Sequence, residues 1–230
     1  MKKYELLIDD TIDVFGVTLF RIKALISFGN VAKGDLGGYI KKEDNLSHSG
    51  NAWVYGNAWV YGNARVSGNA WVYGKAEVSG NAWVYGKAEV SGNARVSGNA
   101  EVYGKAEVSG NAWVYGNAEV SGNARVYGNA WVYGNAEVSG KAEVYGNAEV
   151  SGKAEVSGNA DYIVFKNHWS SGRYFTYTKS NKMWKVGCFY GTGQELIEKA
   201  YRDSENSGKN YEAYVKFVEK LEEINNEKHN

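Results

Sequence analysis

A six-residue repeat constrains the fold of this chain more than any other feature of its sequence. From Asn51 to Gly158 the chain runs through eighteen consecutive copies of (Asn/Lys)-Ala-x-Val-(Tyr/Ser)-Gly without an insertion. Six residues hold one short strand, x-Val-(Tyr/Ser), and one turn at Gly-(Asn/Lys), because Gly and Asn adopt positive φ at the lowest cost. A helix is excluded, since a glycine in every hexad would cost about 1 kcal/mol each time.

The repeat predicts a parallel β-solenoid. Three strands and three turns would close a triangular coil of about 18 residues, so the hexads give about six coils, roughly 29 Å long at about 4.8 Å per coil. Alternation along each strand turns the invariant Val inward and its two neighbours outward. The chain contains no proline, which fits a stack in which every backbone N–H pairs with the next coil.

Charge and cysteine content exclude several classes of protein. Lys plus Arg and Asp plus Glu number 26 each, so no net field attracts nucleic acid or a membrane surface. The single cysteine, Cys188, excludes an internal disulfide framework and fits a reducing compartment. Because there is neither a long apolar run nor an apolar signal core near Met1, the sequence predicts a soluble, cytoplasmic protein.

The residues before the hexads are predicted to cap the solenoid. Residues 1–50 contain two β-like runs, Tyr4–Ile8 and Val17–Ile22, which predict an N-terminal β-hairpin followed by a lead-in coil. Residues 45–50 form a degenerate hexad that places His48 where Val belongs. A cap is expected because the open strand edges at a solenoid end promote association.

The solenoid domain, residues 51–160, is followed by a predicted α+β domain of three strands and two helices, residues 161–230. The three antiparallel strands are expected at Tyr162–Asn167, Arg173–Thr178 and Met183–Tyr190. Thr192 and Glu195 predict a capping box at the start of the first helix. Residues at helical spacing mark the second helix: Tyr211, Tyr214, Val215, Val218, Leu221 and Ile224.

Three segments carry a family resemblance: the hexads, the lead-in Gly34–Ile40 followed by Asn45-Leu46-Ser47, and the tail Gly187–Thr192. Through its hexads the chain resembles the hexapeptide-repeat proteins, which implies a left-handed parallel β-helix. The lead-in and the tail are similar to those of bacterial and prophage members that are often labelled as transferases. The resemblance implies a phage or prophage origin and a partner in the host cytoplasm, such as a defence protein that the chain would inhibit.

The resemblance also implies an alternative function, that of a trimeric acyltransferase with a histidine base. The chain has three histidines, His48, His168 and His229, but none lies in the hexads and no loop interrupts them. His48 is predicted to be structural because no orienting acid is evident. Alternation along Met183–Tyr190 predicts Cys188 to be a buried, inert thiol. Without clustered ligands or a phosphate-binding loop, we predict no catalytic residue, no cofactor and no metal.

Aromatic residues at the outward positions predict a binding surface. Every tryptophan in the hexads is followed two residues later by a tyrosine, and residues three hexads apart lie on neighbouring coils. Large exposed aromatic patches mark contact surfaces, so we predict a homo-oligomer (dimer or trimer), a complex with a protein partner, or both. A glycan-binding surface component is an alternative. The predicted surface comprises two stacked sets, Trp53, Tyr55, Trp71, Tyr73 and Trp113, Tyr115, Trp131, Tyr133.

An acidic ladder is predicted along one face, at Glu101, Glu119, Glu137 and Glu155. Like charges stacked about 4.8 Å apart cost stability, and the lysines of the Lys-Ala-Glu hexads are expected to reduce the repulsion. A solvated face is the simpler interpretation, and a basic partner or the imitation of a charged polymer is the alternative. Nucleic-acid binding is not expected from hexads with three Arg and five Lys against nine Glu. The sequence thus predicts a non-catalytic binding protein.

Overall fold

Residues before the hexads form a β-hairpin and the first coil of the solenoid. The structure, a computed structural model, describes residues 2–227, and the chain divides into two compact units, Met1–Asp161 and Tyr162–Asn230. Strands β1 (Tyr4–Val14) and β2 (Val17–Ala24) pair antiparallel, and β2 pairs antiparallel with β3 (Leu36–Ile40). Because β3 also pairs in parallel with a strand of the hexads, the hairpin extends one of the solenoid sheets.

Each hexad forms one two-residue strand, and the strands stack in parallel. Strands β4–β21 are Trp53–Val54, Trp59–Val60, Arg65–Val66, Trp71–Val72, Glu77–Val78, Trp83–Val84, Glu89–Val90, Arg95–Val96, Glu101–Val102, Glu107–Val108, Trp113–Val114, Glu119–Val120, Arg125–Val126, Trp131–Val132, Glu137–Val138, Glu143–Val144, Glu149–Val150 and Glu155–Val156. The parallel sheets are β3-β5-β8-β11-β14-β17-β20, β4-β7-β10-β13-β16-β19 and β6-β9-β12-β15-β18-β21. The Val and Ala residues of all hexads are at most 1% exposed. The parallel β-solenoid with an inward Val is confirmed.

The solenoid has about seven turns rather than six, because the lead-in adds a coil whose register differs from that of the hexads. Within the hexads each Val pairs with the Val three hexads later, as Val54 does with Val72. Leu46 instead bridges Val66 and is buried in the position that the sequence assigned to His48, so that assignment is wrong. The reason is that two additional residues lie between Leu46 and the turn at Gly50, which again stacks on the turn glycine of the next coil.

The N-terminal segment covers the first hexad. Trp53 is 0% exposed, and its ring packs edge-on against those of Phe28 at 5.4 Å and Tyr4 at 6.1 Å. Lys3 is also buried, and its Nζ donates to the Ala52 carbonyl oxygen at 2.8 Å. Burial lowers the pKa of Lys3 to about 8. The prediction that Trp53 lies on an outer surface is wrong, because the cap adds a layer over this tryptophan.

The second unit combines a four-stranded antiparallel sheet with two helices. Its elements are β22 (Tyr162–Lys166), β23 (Tyr174–Thr178), β24 (Met183–Val186), β25 (Phe189–Gly191), α1 (Gly193–Asp203) and α2 (Glu205–Glu227). The capping box starts α1: the Thr192 side chain accepts the Glu195 N–H at 3.3 Å, and the Glu195 carboxylate accepts the Thr192 N–H at 2.7 Å. The sheet and both helices share one core of Phe175, Tyr177, Trp184, Leu196, Ala200, Tyr211, Val215 and Val218.

A turn divides the segment Met183–Tyr190, which the sequence predicts to be one strand. Gly187 has a φ of +56°, and Val186 pairs with Phe189 across the two-residue turn. Glycine at the first position of such a turn adopts the positive φ that tight hairpins require. Cys188 occupies the second position and is exposed. The prediction of a buried thiol is therefore wrong, because alternation does not continue through a turn.

Two turn glycines provide a test of coil stacking. At Gly110 (φ +69°) a Cβ would lie 2.9 Å from the Gly128 nitrogen of the next coil, whereas at Gly146 (φ +68°) it would meet open space. We expect Gly146→Ala to lose about 1–2 kcal/mol from the left-handed backbone alone. Gly110→Ala should lose more, because the coils must also separate. Urea unfolding followed by circular dichroism measures both, and equal losses would contradict the predicted effect of the clash.

The burial of Trp53 predicts a large difference between two tryptophans of the same repeat. Trp53→Ala should lower the free energy of unfolding by about 3–5 kcal/mol, because it leaves a cavity beneath the cap. The matched change Trp131→Ala should cost less, since that ring is already 39% exposed. Urea unfolding of both variants checks the difference. A Trp53→Ala variant as stable as Trp131→Ala would mean that the cap does not cover the first hexad.

Candidate functional surface

Four aromatic side chains of β14 and β17 come together on one solenoid sheet. Trp113 and Trp131 are register partners, and their rings lie 5.7 Å apart, nearly perpendicular. The rings of Tyr115 and Tyr133 stack at 4.8 Å, and Tyr115 also meets Trp131 at 6.4 Å. All four side chains retain solvent exposure. We call Trp113, Tyr115, Trp131 and Tyr133 the aromatic patch.

Polar and charged groups bound the aromatic patch on both sides. On the coil before it, the Arg95 guanidinium lies over the Trp113 ring at 5.7 Å, and the Trp113 Nε1–H donates to Ser97 Oγ at 3.3 Å. On the coil after it, Glu149 accepts a hydrogen bond from the Tyr133 hydroxyl at 3.4 Å. An apolar centre with a polar rim is the usual anatomy of a protein interface.

The other predicted aromatic set lines a groove. Trp53 is absent from it because the cap covers that side chain, and Tyr55 meets Trp71 edge-on at 5.6 Å. The Tyr73 hydroxyl donates to Glu89 Oε2 at 3.0 Å. The groove has a volume of about 530 Å³ and is lined by Asn30, Tyr55, Trp71, Tyr73 and Glu89. We call it the aromatic groove.

A regular hydrogen bond between coils, not foreseen from the sequence, places the glutamates. The tyrosine that follows one strand donates to the glutamate that starts the stacked strand of the next coil. Tyr85 and Glu101 are joined in this way at 2.9 Å, and Tyr103 and Glu119 at 3.2 Å. The other pairs are Tyr61–Glu77, Tyr73–Glu89, Tyr127–Glu143 and Tyr133–Glu149. A search of the sequence for Tyr and Glu at a separation of 16 would have found these pairs.

The first two carboxylates of the acidic ladder accept hydrogen bonds from tyrosine hydroxyls and, among the described residues, form no ion pairs with lysines. Glu101 and Glu119 each accept from a tyrosine one coil below, while Glu137 and Glu155 are exposed. Within residues 2–227, the lysines of the Lys-Ala-Glu hexads make no ion pair with Glu101, Glu119 or Glu137. The lysines are located on the exposed turns, so the expectation that they reduce the repulsion stays a prediction that rests on longer-range charge and not on ion pairs.

Asparagine amides link two of the three rows of turns. In one row the Nδ2 of each asparagine donates to the Oδ1 of the next, at 3.2, 3.0, 2.9 and 3.0 Å, through Asn63, Asn81, Asn99, Asn117 and Asn135. A second row repeats the pattern through Asn93, Asn111, Asn129 and Asn147. Stacked amides of this kind stabilise in-register parallel strands. The asparagines thus connect coils as well as forming turns.

His48 is held by the cap. Its Nδ1 accepts the backbone N–H of Lys3 at 3.1 Å, its ring stacks on Tyr4 at 4.4 Å, and its buried Nε2 lies 3.7 Å from Glu43 Oε2. An acid therefore does lie beside this histidine, contrary to the sequence interpretation. Both ring nitrogens nevertheless face the protein, which supports a structural role.

The remaining candidate groups are dispersed. His168 lies in the second unit, with its Nδ1 3.4 Å from the Tyr214 hydroxyl, and His229 lies outside the described residues. In the described part of the chain, no three His, Cys, Asp or Glu side chains group as a metal site would require. Over the same residues, neither α1 nor α2 is long and apolar enough to cross a membrane.

The Tyr–Glu hydrogen bonds predict a dependence of stability on alkaline pH. Burial and the Glu101 carboxylate raise the pKa of Tyr85 to about 12, above the ordinary value near 10 of an unfolded chain. Between these values the unfolded state loses the proton first, so stability falls as the pH rises from about 10 to about 12. Tyr85→Phe should make this decline shallower in urea unfolding, whereas Tyr145→Phe, at a half-exposed ring, should not. Parallel curves for Tyr85→Phe and the parent protein would contradict the assignment.

Comparison with known proteins identifies the repeat. Three segments, residues 58–74, 88–104 and 118–134, match the model of the YdcK Beta solenoid repeat. No curated protein matches the chain. All three segments lie within the stacked hexads. The sequence match and the stacked parallel strands therefore agree that the hexads form a β-solenoid, of which these three segments are similar to the YdcK Beta solenoid repeat.

Proposed function

We propose that this chain is a non-catalytic binding protein that presents the aromatic patch to a second copy of itself. The observation that carries the proposal is the contiguous set of rings at Trp113, Tyr115, Trp131 and Tyr133, with separations of 4.8–6.4 Å. Trp131 keeps 39% of its surface exposed in the single chain. Burial of such rings against an identical patch removes apolar area from water on both copies, and Trp and Tyr are the residues that dominate interface energies.

The proposed scaffold is a left-handed prism with three faces. Three parallel sheets, each of which takes every third strand, support the three faces, and the resemblance to hexapeptide-repeat proteins supports the hand. A twofold dimer places the same patch on both sides of its contact, whereas each contact of a closed trimer joins two different parts of the surface. The twofold dimer uses one solenoid face for assembly and leaves the other faces open to a partner.

A host protein is the partner that we propose for this assembly. The proposal rests on the resemblance of Gly34–Ile40 and Gly187–Thr192 to segments of phage-borne proteins. In that setting the protein acts in the host cytoplasm as an inhibitor of a defence component. The acidic ladder at Glu101, Glu119, Glu137 and Glu155 offers a second surface, suited to a basic region of that protein.

Charge insertion into the aromatic patch tests the proposal. Trp113→Glu combined with Trp131→Glu should reduce the molar mass, measured by size-exclusion chromatography with light scattering, from that of an oligomer to that of a single chain. The control is Trp83→Glu, which places the same charge on a 43% exposed tryptophan of another sheet and should leave the mass unchanged. An unchanged mass in the double variant, with unchanged capture of host proteins, would rule out the patch as the contact surface.

A further inference from the structure

Arginines in the first unit share one environment. Each guanidinium lies over an aromatic ring: Arg21 over Tyr39 at 4.4 Å, Arg65 over Trp83 at 5.7 Å, Arg95 over Trp113 at 5.7 Å and Arg125 over Tyr127 at 5.5 Å. Three of them also pair with a carboxylate: Arg21 with Asp10 at 2.7 Å, Arg95 with Glu77 at 3.4 Å and Arg125 with Glu107 at 3.0 Å. In this unit, guanidinium groups thus repeatedly lie where an aromatic ring and a carboxylate are close together.

The aromatic groove offers the same two groups without an arginine of its own. Trp71 and Glu89 are register partners on β7 and β10, so the ring and the carboxylate occupy neighbouring coils. Among the described residues, no lysine or arginine forms an ion pair with Glu89. The coil beyond it carries Glu107, which Arg125 already engages.

The electrostatics of the aromatic groove favour a cation. Glu89 lies in the lining, and burial, together with the charge of Asp35, raises the pKa of Tyr55, another lining residue. The Glu89 carboxylate, beside the rings of Tyr55, Trp71 and Tyr73, repels phosphate and attracts positive charge. A guanidinium suits the site better than an ammonium, because it is planar, is more weakly hydrated and presents two parallel N–H groups to a carboxylate.

We propose that the aromatic groove binds an arginine side chain of a protein partner, with the guanidinium stacked on Trp71 and paired with Glu89. This goes beyond the proposed self-association, since the groove and the aromatic patch lie on different sheets. The Tyr73 hydroxyl holds one oxygen of the Glu89 carboxylate at 3.0 Å and so orients the group toward its ligand. Tyr55, edge-on to Trp71 at 5.6 Å, fixes the tryptophan ring.

Short blocked peptides provide the probe. Acetyl-Gly-Arg-Gly-amide is titrated into the full ¹⁵N-labelled chain, and the indole N–H signal of Trp71, assigned with Trp71→Phe, is followed. We expect saturable shifts with the arginine peptide and binding about tenfold weaker or worse with the citrulline peptide, which keeps the shape but lacks the charge. The lysine peptide should fall between the two. This comparison uses the unaltered protein and needs no variant to fold.

Variants then assign the contact. Glu89→Gln should weaken arginine-peptide binding about tenfold. Glu143→Gln is the matched control, because Glu143 also accepts from a tyrosine one coil below but has Arg125, not a tryptophan, as its partner on the coil before. Binding should persist in the Trp113→Glu/Trp131→Glu variant, which separates this proposal from the self-association. Equal binding of the citrulline and arginine peptides, no shift at millimolar peptide, or unweakened binding to folded Glu89→Gln would each overturn the proposal.

Discussion

The distance between hydrogen-bonded coils governs the chemistry of this surface. A backbone N–H in one coil donates to a carbonyl oxygen of the next, as from Glu119 to Ala136 at 2.9 Å, and strands paired in this way lie about 4.8 Å apart. Every outward side chain therefore meets the side chain at the same position of the next coil, whether that contact is favourable or not. Side chains at one position of successive coils form a column. The order of residues along a column, rather than the freedom of individual side chains, decides which contacts form.

Most columns satisfy their own polar groups. Glu101 and Glu119 accept from tyrosines of the coil below, and asparagine amides link two rows of turns. Arg125 lies between two glutamates on its column and pairs with both, at 3.0 and 3.7 Å. Glu89 follows this pattern, since it accepts from the Tyr73 hydroxyl of the coil below, and in the aromatic groove it lies beside a tryptophan of the neighbouring coil.

The solenoid could be predicted because its hexads repeat strictly. The burial and register of the residues next to the cap could not, because the cap has no repeat. Identical hexads give the strands, the inward Val and the columns, because each coil meets only copies of itself. Trp53 fits the hexad pattern in sequence, yet it is buried because Phe28 and Tyr4, which lie in a segment without repeats, pack against it. Leu46 displaces His48 for a similar reason: its pairing with Val66, out of step with the hexads, becomes visible only once the cap is placed.

Stacking also prepares the side chains for binding. Trp113 is held by Arg95 on one side and by the ring of Trp131 on the other, and Trp71 is held by the edge-on ring of Tyr55. Side chains fixed before contact lose less conformational entropy when a partner arrives, so more of the buried area contributes to affinity. The side chains one coil away from a contact are therefore part of the site, because they set the geometry that the partner meets. In a solenoid this support comes from the same hydrogen-bonded stacking that holds the fold together.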